Sequence, residues 1–215
     1  ESVIQASAAA AMAMETLSSA RNSMAVTRQY PKERDIADEA PRIGVFICHC
    51  GENISATVDV QKVAAAAAKI SGVAHSVEYK YMCSEPGQDM IKKDVQELGL
   101  NRVVVASCSP RMHEVTFQSA VASAGINPYY FAMANIREHD SWITDDLAQA
   151  TAKAKRLVGA AVMRVAYQEP LEPRKEPVTQ AAMVVGGGIA GIQAALSIAE
   201  AGFQVYLVER EPSIG

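Results

Sequence analysis

Cys48, Cys50, Cys83 and Cys108 are the four cysteines of the chain, and each follows a short apolar run that reads as a β-strand. IGVFI precedes Cys48 and Cys50, YKYM precedes Cys83, and VVVAS precedes Cys108. In a parallel α/β sheet such strand ends share one edge, the edge at which ligands bind. Thiolates are soft ligands suited to iron–sulfur clusters or zinc, and four cysteines are the usual complement of a cubane 4Fe–4S cluster. The spacing is unlike a tandem C-x-x-C ferredoxin. Three readings therefore stand side by side: an iron–sulfur cluster, a structural zinc or redox-active thiol pair, and buried unreactive cysteines, which are common in cores.

The surrounding loops favour a metal. Gly51, Gly87, Ser84, Ser107 and Ser109 are small and let backbone N–H groups face sulfur. Pro86 and Pro110 suit the first turns of helices, whose N-termini stabilise negative charge. His49, His113 and His139 read as hydrogen-bonding neighbours of the site rather than ligands. Arg111, Arg137 and Glu138 read as a polar network beneath it, with Arg137 offsetting cluster charge. Trp142 reads as a core residue.

The second chemical signal is the turn Val184-Val185-Gly186-Gly187-Gly188-Ile189-Ala190-Gly191. Gly186, Gly188 and Gly191 match G-x-G-x-x-G. They would permit the tight turn, the approach of a pyrophosphate to the backbone, and close helix–strand packing, respectively. Ile189 and Ala190 open the helix whose free N–H groups would face the phosphates. The pattern follows a strand and opens a helix, and the next strand, VYLV, ends at Glu209, close to the expected ~20 residues on. A carboxylate there accepts from ribose hydroxyls. Glu209 and Arg210 leave the choice between FAD and a nicotinamide cofactor open. A metal cluster together with a dinucleotide points to electron transfer.

Positioning these groups requires a βα alternation. Strands are expected over 42–47, 73–82, 102–106 and 129–133, and helices over 58–70, 86–98, 110–124 and 141–166. Ser55 or Thr57 would cap the first of these helices, and Gly99 and Gly125 would close the second and third. The long last helix carries a basic face with Lys153, Lys155, Arg156 and Arg164. The alternation predicts an α/β fold, a mostly parallel three-layer sheet domain over 42–166. A polar, proline-bearing linker over 167–180 leads to strand 181–185, helix 189–201 and strand 204–208, the first βαβ unit of a Rossmann-like domain over 181–215. Residues 1–22 read as a helix and 23–41 as a further linker, so 1–41 is expected to be the tail of an upstream module.

Composition excludes several classes. With 49% hydrophobic and 20% charged residues the chain is an ordinary globular protein. A net charge of −4 and the lack of a basic stripe argue against nucleic-acid binding. No apolar run reaches bilayer length. The small-residue start ESVIQASAAAAMAMETLSS lacks the basic lead of a signal peptide. Four cysteines without a targeting signal favour a reducing compartment, the cytoplasm. A first residue other than methionine and a last residue in a loop read as the ends of a piece of a longer polypeptide.

The strings VFICHCGENI, YMCSEPGQDMI, VVVASCSPRMHEVTF, NPYYFAMANIREHDSW and ATAKAKRLVGAAV, followed by VVGGGIAGIQAALSIAEAGFQVYLVEREPSIG, closely resemble the iron–sulfur A subunit of CoB–CoM heterodisulfide reductase across residues 42–215. The resemblance implies an N-terminal iron–sulfur domain followed by the start of a thioredoxin-reductase-like FAD domain. It implies Cys48, Cys50, Cys83 and Cys108 as ligands of a 4Fe–4S cluster, and FAD at Gly186, Gly188, Ile189, Ala190, Gly191, Glu209 and Arg210. Some members divide electron pairs at the flavin. The implied partners are heterodisulfide-cleaving B and C subunits and a hydrogenase or formate dehydrogenase module, with a homodimer among the assemblies allowed. Family members usually begin near the strand at Ile43, and residues 1–19 look like the helical tail that follows the family's C-terminal ferredoxin domain. A tandem fusion of two such modules is therefore expected.

The expected activity is that of an oxidoreductase component that holds flavin and cluster near each other, with no acid–base or nucleophilic residue required in this segment. A zinc-stabilised docking domain that tethers a flavin domain to partner subunits is the alternative. A pyridine-nucleotide disulfide reductase is a third reading; it needs a redox-active cysteine pair beyond the first βαβ unit, a region that lies past Gly215, so this segment does not test it.

Overall fold

A computed structural model describes all 215 residues. Its elements in chain order are α1 (Ser2–Thr16), β1 (Ile43–Cys48), α2 (Val60–Ala67), β2 (Val73–Tyr79), α3 (Glu85–Glu97), β3 (Arg102–Ser107), α4 (Pro110–Ser123), β4 (Phe131–Asn135), α5 (Leu147–Ala166), β5 (Ala181–Val185), α6 (Ile189–Glu200) and β6 (Gln204–Val208). Two compact units result, Gln29–Pro173 in one and Glu1–Arg28 with Arg174–Gly215 in the other.

In the Gln29–Pro173 unit the strands form one parallel sheet in the order β2-β1-β3-β4. β1 and β3 are central and buried throughout, which explains why both read as uninterrupted apolar runs. Side chains alternate between two cores. Val45, Ile47, Val104, Ala106, Ala132 and Ala134 face α2 and α5, where small residues such as Ala150 and Ala154 allow close helix approach. Phe46, Val103, Val105 and Phe131 pack with Ile91 and Val95 of α3 and Phe117 and Val121 of α4. The result is the expected helix–sheet–helix sandwich, each fully buried Val, Ile or Phe contributing about 1.5–3 kcal/mol. The chain leaves β1 for β2 on one side and returns to β3 on the other. The carboxyl ends of β1 and β3 therefore flank the point where strand order reverses.

Several local expectations shift. α2 is capped by Asp59, whose Oδ1 accepts from the Lys62 N–H at 3.0 Å, rather than by Ser55 or Thr57. β2 stops at Tyr79, and the chain then turns so that Met82 is wholly buried. The helix expected from residue 141 starts at Leu147, because Asp146 accepts from the Gln149 N–H at 2.8 Å and fixes the first turn there. Arg137–Ser141 instead form a single π-helical turn, a wide turn frequent at functional sites. Trp142, read as core, is 54% exposed. The irregular segment before β1 is held to the domain: Ile36 is buried in the α3–α4 core, and the Arg34 N–H donates to the Gly125 carbonyl at 2.8 Å.

In the other unit, β5 and β6 pair in parallel with α6 as the crossover, the predicted βαβ unit. α1 packs on α6. The Arg21 guanidinium lies 3.9 Å from the centroid of the Phe203 ring and donates to the Ala201 carbonyl. No helix of the chain is long and apolar enough to cross a membrane.

Candidate metal centre and dinucleotide turn

Cys48 is the last residue of β1 and is 3% exposed. Its sulfur accepts from the N–H groups of Cys50, at 3.2 Å, and Met82, at 3.4 Å. Burial pushes its thiol from 9.0 up to about 11, against the pull of these two N–H groups. The metal-free side chain is therefore a neutral thiol at pH 7, and a bound metal must displace its proton.

The loop that follows is built around left-handed backbone. Cys50 has φ +52° and Gly51 φ +63°, and the left-handed region is uncommon for a residue with a side chain. The turn is over-determined by bonds to the end of β2: His49 N–H to Tyr79 carbonyl at 3.0 Å and Gly51 N–H to Lys80 carbonyl at 3.2 Å. His49 also pairs with the Glu78 carboxylate. These bonds bring the Cys50 loop against the turn that carries Cys83.

Cys83 lies just before α3, and its carbonyl accepts from the Gln88 side chain at 2.9 Å. The first turn of α3 presses closely on this turn, since a Cβ at Gly87 would overlap the Met82 carbonyl. Cys108 directly follows β3, is 5% exposed, and precedes Ser109, whose Oγ accepts from the Arg111 N–H at 3.3 Å as the cap of α4. Burial raises the Cys108 thiol, opposed by the charge of Arg137.

The four cysteines thus occupy the carboxyl edge of one sheet. The Cys48 thiol is in electrostatic reach of those of Cys50 and Cys83, and the Cys108 thiol in reach of that of Cys50. No three of the histidines, cysteines and carboxylates are gathered closely enough to hold a metal ion as the side chains stand. The four are soft donors of the kind iron–sulfur clusters and zinc take, and the Cys48 sulfur already accepts two backbone N–H groups.

Arg137 completes the site. Its Nη1 donates to the Cys50 sulfur at 3.1 Å, and its Nη2 and Nε donate to Glu138 Oε1 at 2.7 and 3.3 Å. Its guanidinium carbon sits 4.5 Å from the centroid of the Trp142 ring. Although burial works against its charge, the bonds to Glu138 and Cys50 raise its pKa further; burial likewise opposes Glu138, whose bond to Arg137 holds it below the ordinary range. Asn135 Oδ1 fixes the π turn by accepting from the N–H groups of Glu138, at 3.0 Å, and Arg137, at 3.3 Å. Ser141 Oγ donates to the Asn53 carbonyl at 2.6 Å and ties the turn to the Cys50 loop.

The expected polar network is therefore the pair Arg137–Glu138. Arg111 is exposed on the first turn of α4. His113 stands edge-on to Phe117, and His139 lies in the π turn. Sequence reading missed Asp140, which is fully buried with both carboxylate oxygens unpartnered. Burial raises its pKa, partly offset by Lys153. Nothing in its charged, helix-like surroundings signals that burial.

At the glycine turn, Gly186 has φ +106°, which needs glycine. Gly188 caps α6, and no protein atom lies within 4 Å of where its Cβ would stand. A Cβ at Gly191 would overlap the Gly186 carbonyl. The N–H groups of Ile189, Ala190 and Gly191 open α6 without a side-chain cap, so they are free for an anion. Glu209 Oε2 accepts from the Gly187 N–H at 2.6 Å, and Oε1 from those of Arg210 and Glu211 at 2.6 and 2.9 Å. The N–H groups of Glu211, Gly187 and Arg210 hold its carboxyl below the ordinary range. A carboxylate offers roughly four lone-pair positions, so one remains for a ribose hydroxyl. The Arg210 side chain is exposed and pairs with Glu211 at 3.0 Å. This cradle fits the ADP portion of a dinucleotide.

The family model for FAD-dependent oxidoreductases matches residues 182–215. Over 181 residues the chain is 56% identical to an iron-sulfur A subunit of CoB–CoM heterodisulfide reductase from Methanopyrus kandleri, covering 84% of this chain and 28% of that protein. It is 54% identical over 184 residues to the A subunit of the H2:CoB-CoM heterodisulfide,ferredoxin reductase of Methanothermobacter marburgensis, covering 85% and 28%. A protein of Archaeoglobus profundus described as similar to the heterodisulfide reductase A subunit is 52% identical over 181 residues, 84% of this chain and 26% of the relative. The chain thus spans little more than a quarter of the length of these curated relatives.

Proposed function

Given that most of this chain is homologous to the A subunits of CoB–CoM heterodisulfide reductases, we propose that it is the iron–sulfur and flavin-entry portion of such an oxidoreductase component. Cys48, Cys50, Cys83 and Cys108 hold a 4Fe–4S cluster. Gly186, Gly188, Ile189, Ala190, Gly191 and Glu209 hold the ADP portion of FAD, with Arg210 at the rim. When bound, the flavin supplies two-electron chemistry and the cluster one-electron chemistry.

The protein's own contribution is positional. The β1–β3 edge gathers the thiols, burial keeps water from Cys48 and Cys108, and the N–H groups of Cys50 and Met82 together with Arg137 provide donors to sulfur. At the glycine turn the opening N–H groups of α6 meet the pyrophosphate and Glu209 meets the ribose. The observation that carries this reading is the sharing of one sheet edge by four cysteines, beside Arg137, in a chain whose relatives are named iron–sulfur subunits.

The finer assignment extends the family resemblance. Electrons pass between flavin and cluster, with division of electron pairs at the flavin, in a complex with B- and C-type subunits and a hydrogenase or formate dehydrogenase module. Unpaired cysteines suit a reducing compartment such as the cytoplasm. Anaerobic purification tests the reading: iron and sulfide in equal amounts, a broad visible absorbance and bound FAD are expected. Stoichiometric zinc in a colourless protein supports the docking-domain alternative instead. Metal-free protein under strict anaerobiosis removes both.

A further inference from the structure

We infer that Arg137 and Glu138 act as an opposed charge pair that sets the reduction potential of the cysteine site, Arg137 raising it and Glu138 holding that rise in check. The inference rests on the cluster reading proposed above and goes beyond ligand identity. Three observations carry it. First, the guanidinium is not a general counter-charge but donates through Nη1 into one sulfur, Cys50, at 3.1 Å. Second, the side chains of Arg137 and Glu138 are only 15% and 27% exposed, so water screens them weakly. Third, the pair is mechanically fixed. Asn135 holds both backbone N–H groups, Ser141 anchors the π turn to the Cys50 loop, and the Trp142 ring lies against the guanidinium. A surface arginine that merely balances charge would need none of these restraints.

Hydrogen bonds to sulfur and local net charge are two of the quantities that set iron–sulfur potentials. A fixed cation at Cys50 stabilises the form carrying one more electron. Glu138 takes two of the guanidinium donors and brings a negative charge of its own, so it works in the opposite sense. The couple involves one electron added and no bond broken, the electron coming in the assay from dithionite. Arg137 and Glu138 are positioning residues with respect to the reacting centre, because both act through the thiolates.

The test is a redox titration of the full chain, purified anaerobically and followed by electron paramagnetic resonance and visible absorbance. Arg137→Gln is expected to lower the midpoint potential, and Glu138→Gln to raise it, each by about tenfold in the one-electron equilibrium or about 59 mV. Arg137→Lys keeps the charge but cannot reproduce the fork, and is expected to fall between wild type and Arg137→Gln. A purely structural role cannot move the two neutralising variants in opposite directions. Unchanged potentials, or shifts of the same sign, overturn the inference. Should Arg137→Gln fail to retain iron, Glu138→Gln alone decides, and no rise in its potential is again fatal. Wild-type protein devoid of iron and sulfide would instead remove the cluster reading itself, so the two failures are distinguishable.

Discussion

The Nη1 of Arg137 lies 3.1 Å from the sulfur of Cys50, although the two residues are 87 positions apart. One stands in the turn after β4 and the other in the turn after β1, and only β3 separates those strands in the sheet. The contact therefore reports strand order directly. It also gives the site an asymmetry: Cys50 has a cationic partner, whereas Cys48 is served by backbone N–H groups.

Gly87 sets how closely α3 approaches the Cys83 turn. Gly87→Ala places a methyl group onto the Met82 carbonyl, and backbone cannot yield as a side-chain tip can. A loss of about 1–3 kcal/mol is expected. Because Met82 also supplies an N–H to Cys48, iron content should fall together with stability. Urea denaturation and iron analysis check both, and full iron content at unchanged stability would contradict the packing argument.

Stability of the metal-free protein should depend on alkaline pH. Burial raises the Cys48 thiol from 9.0 to about 11. Between those values the unfolded chain has released this proton while the folded chain keeps it, so stability falls as pH rises. The contribution is intact below about pH 9 and lost by about pH 11, about 3 kcal/mol. Cys48→Ala should flatten the pH profile of the denaturation midpoint across that window.

The glycine turn separates packing from ligand approach. Gly191→Ala drives a methyl group into the Gly186 carbonyl and should lower thermal stability with or without flavin. Gly188→Ala meets open space in the protein, so flavin-free stability should hold within about 1 kcal/mol, less a small cap effect. Flavin affinity should nevertheless drop at least about tenfold, about 1.4 kcal/mol, because the methyl group occupies room needed by the pyrophosphate. Equal flavin affinity of Gly188→Ala and wild type in a fluorescence titration would place the phosphates elsewhere.

Trp142 is the only tryptophan of the chain and stacks on Arg137. Its emission should report loading of the site. Iron incorporation should quench it through overlap with cluster absorbance, and chelation under anaerobic conditions should restore it. Emission indifferent to iron would mean that the metal sits away from the Arg137 turn.

Local chemistry was legible wherever the physics is local. The alternation of strands and helices follows from apolar runs, prolines in first turns and glycines at helix ends. All six strands and the helices between them appear near their expected places. The glycine turn was readable because φ +106° at Gly186 and the Cβ overlap at Gly191 arise within a few residues of each other. The failures also have local causes. Asp146 out-competed the amphipathic pattern of residues 141–146 as a helix start, and Asp59 did the same for Ser55 and Thr57.

The sequence by itself determined which residues end strands, and hence that the cysteines and the glycine turn lie at the carboxyl ends of parallel strands. Tertiary structure alone decided which of those ends are neighbours. The order β2-β1-β3-β4 brings Arg137 to Cys50 and the Met82 N–H to Cys48, buries Asp140 and leaves Trp142 outside. Periodicity records how one segment divides its faces between core and solvent. Contacts between segments tens of residues apart depend on how crossovers stack in the sheet, and no single segment carries that information.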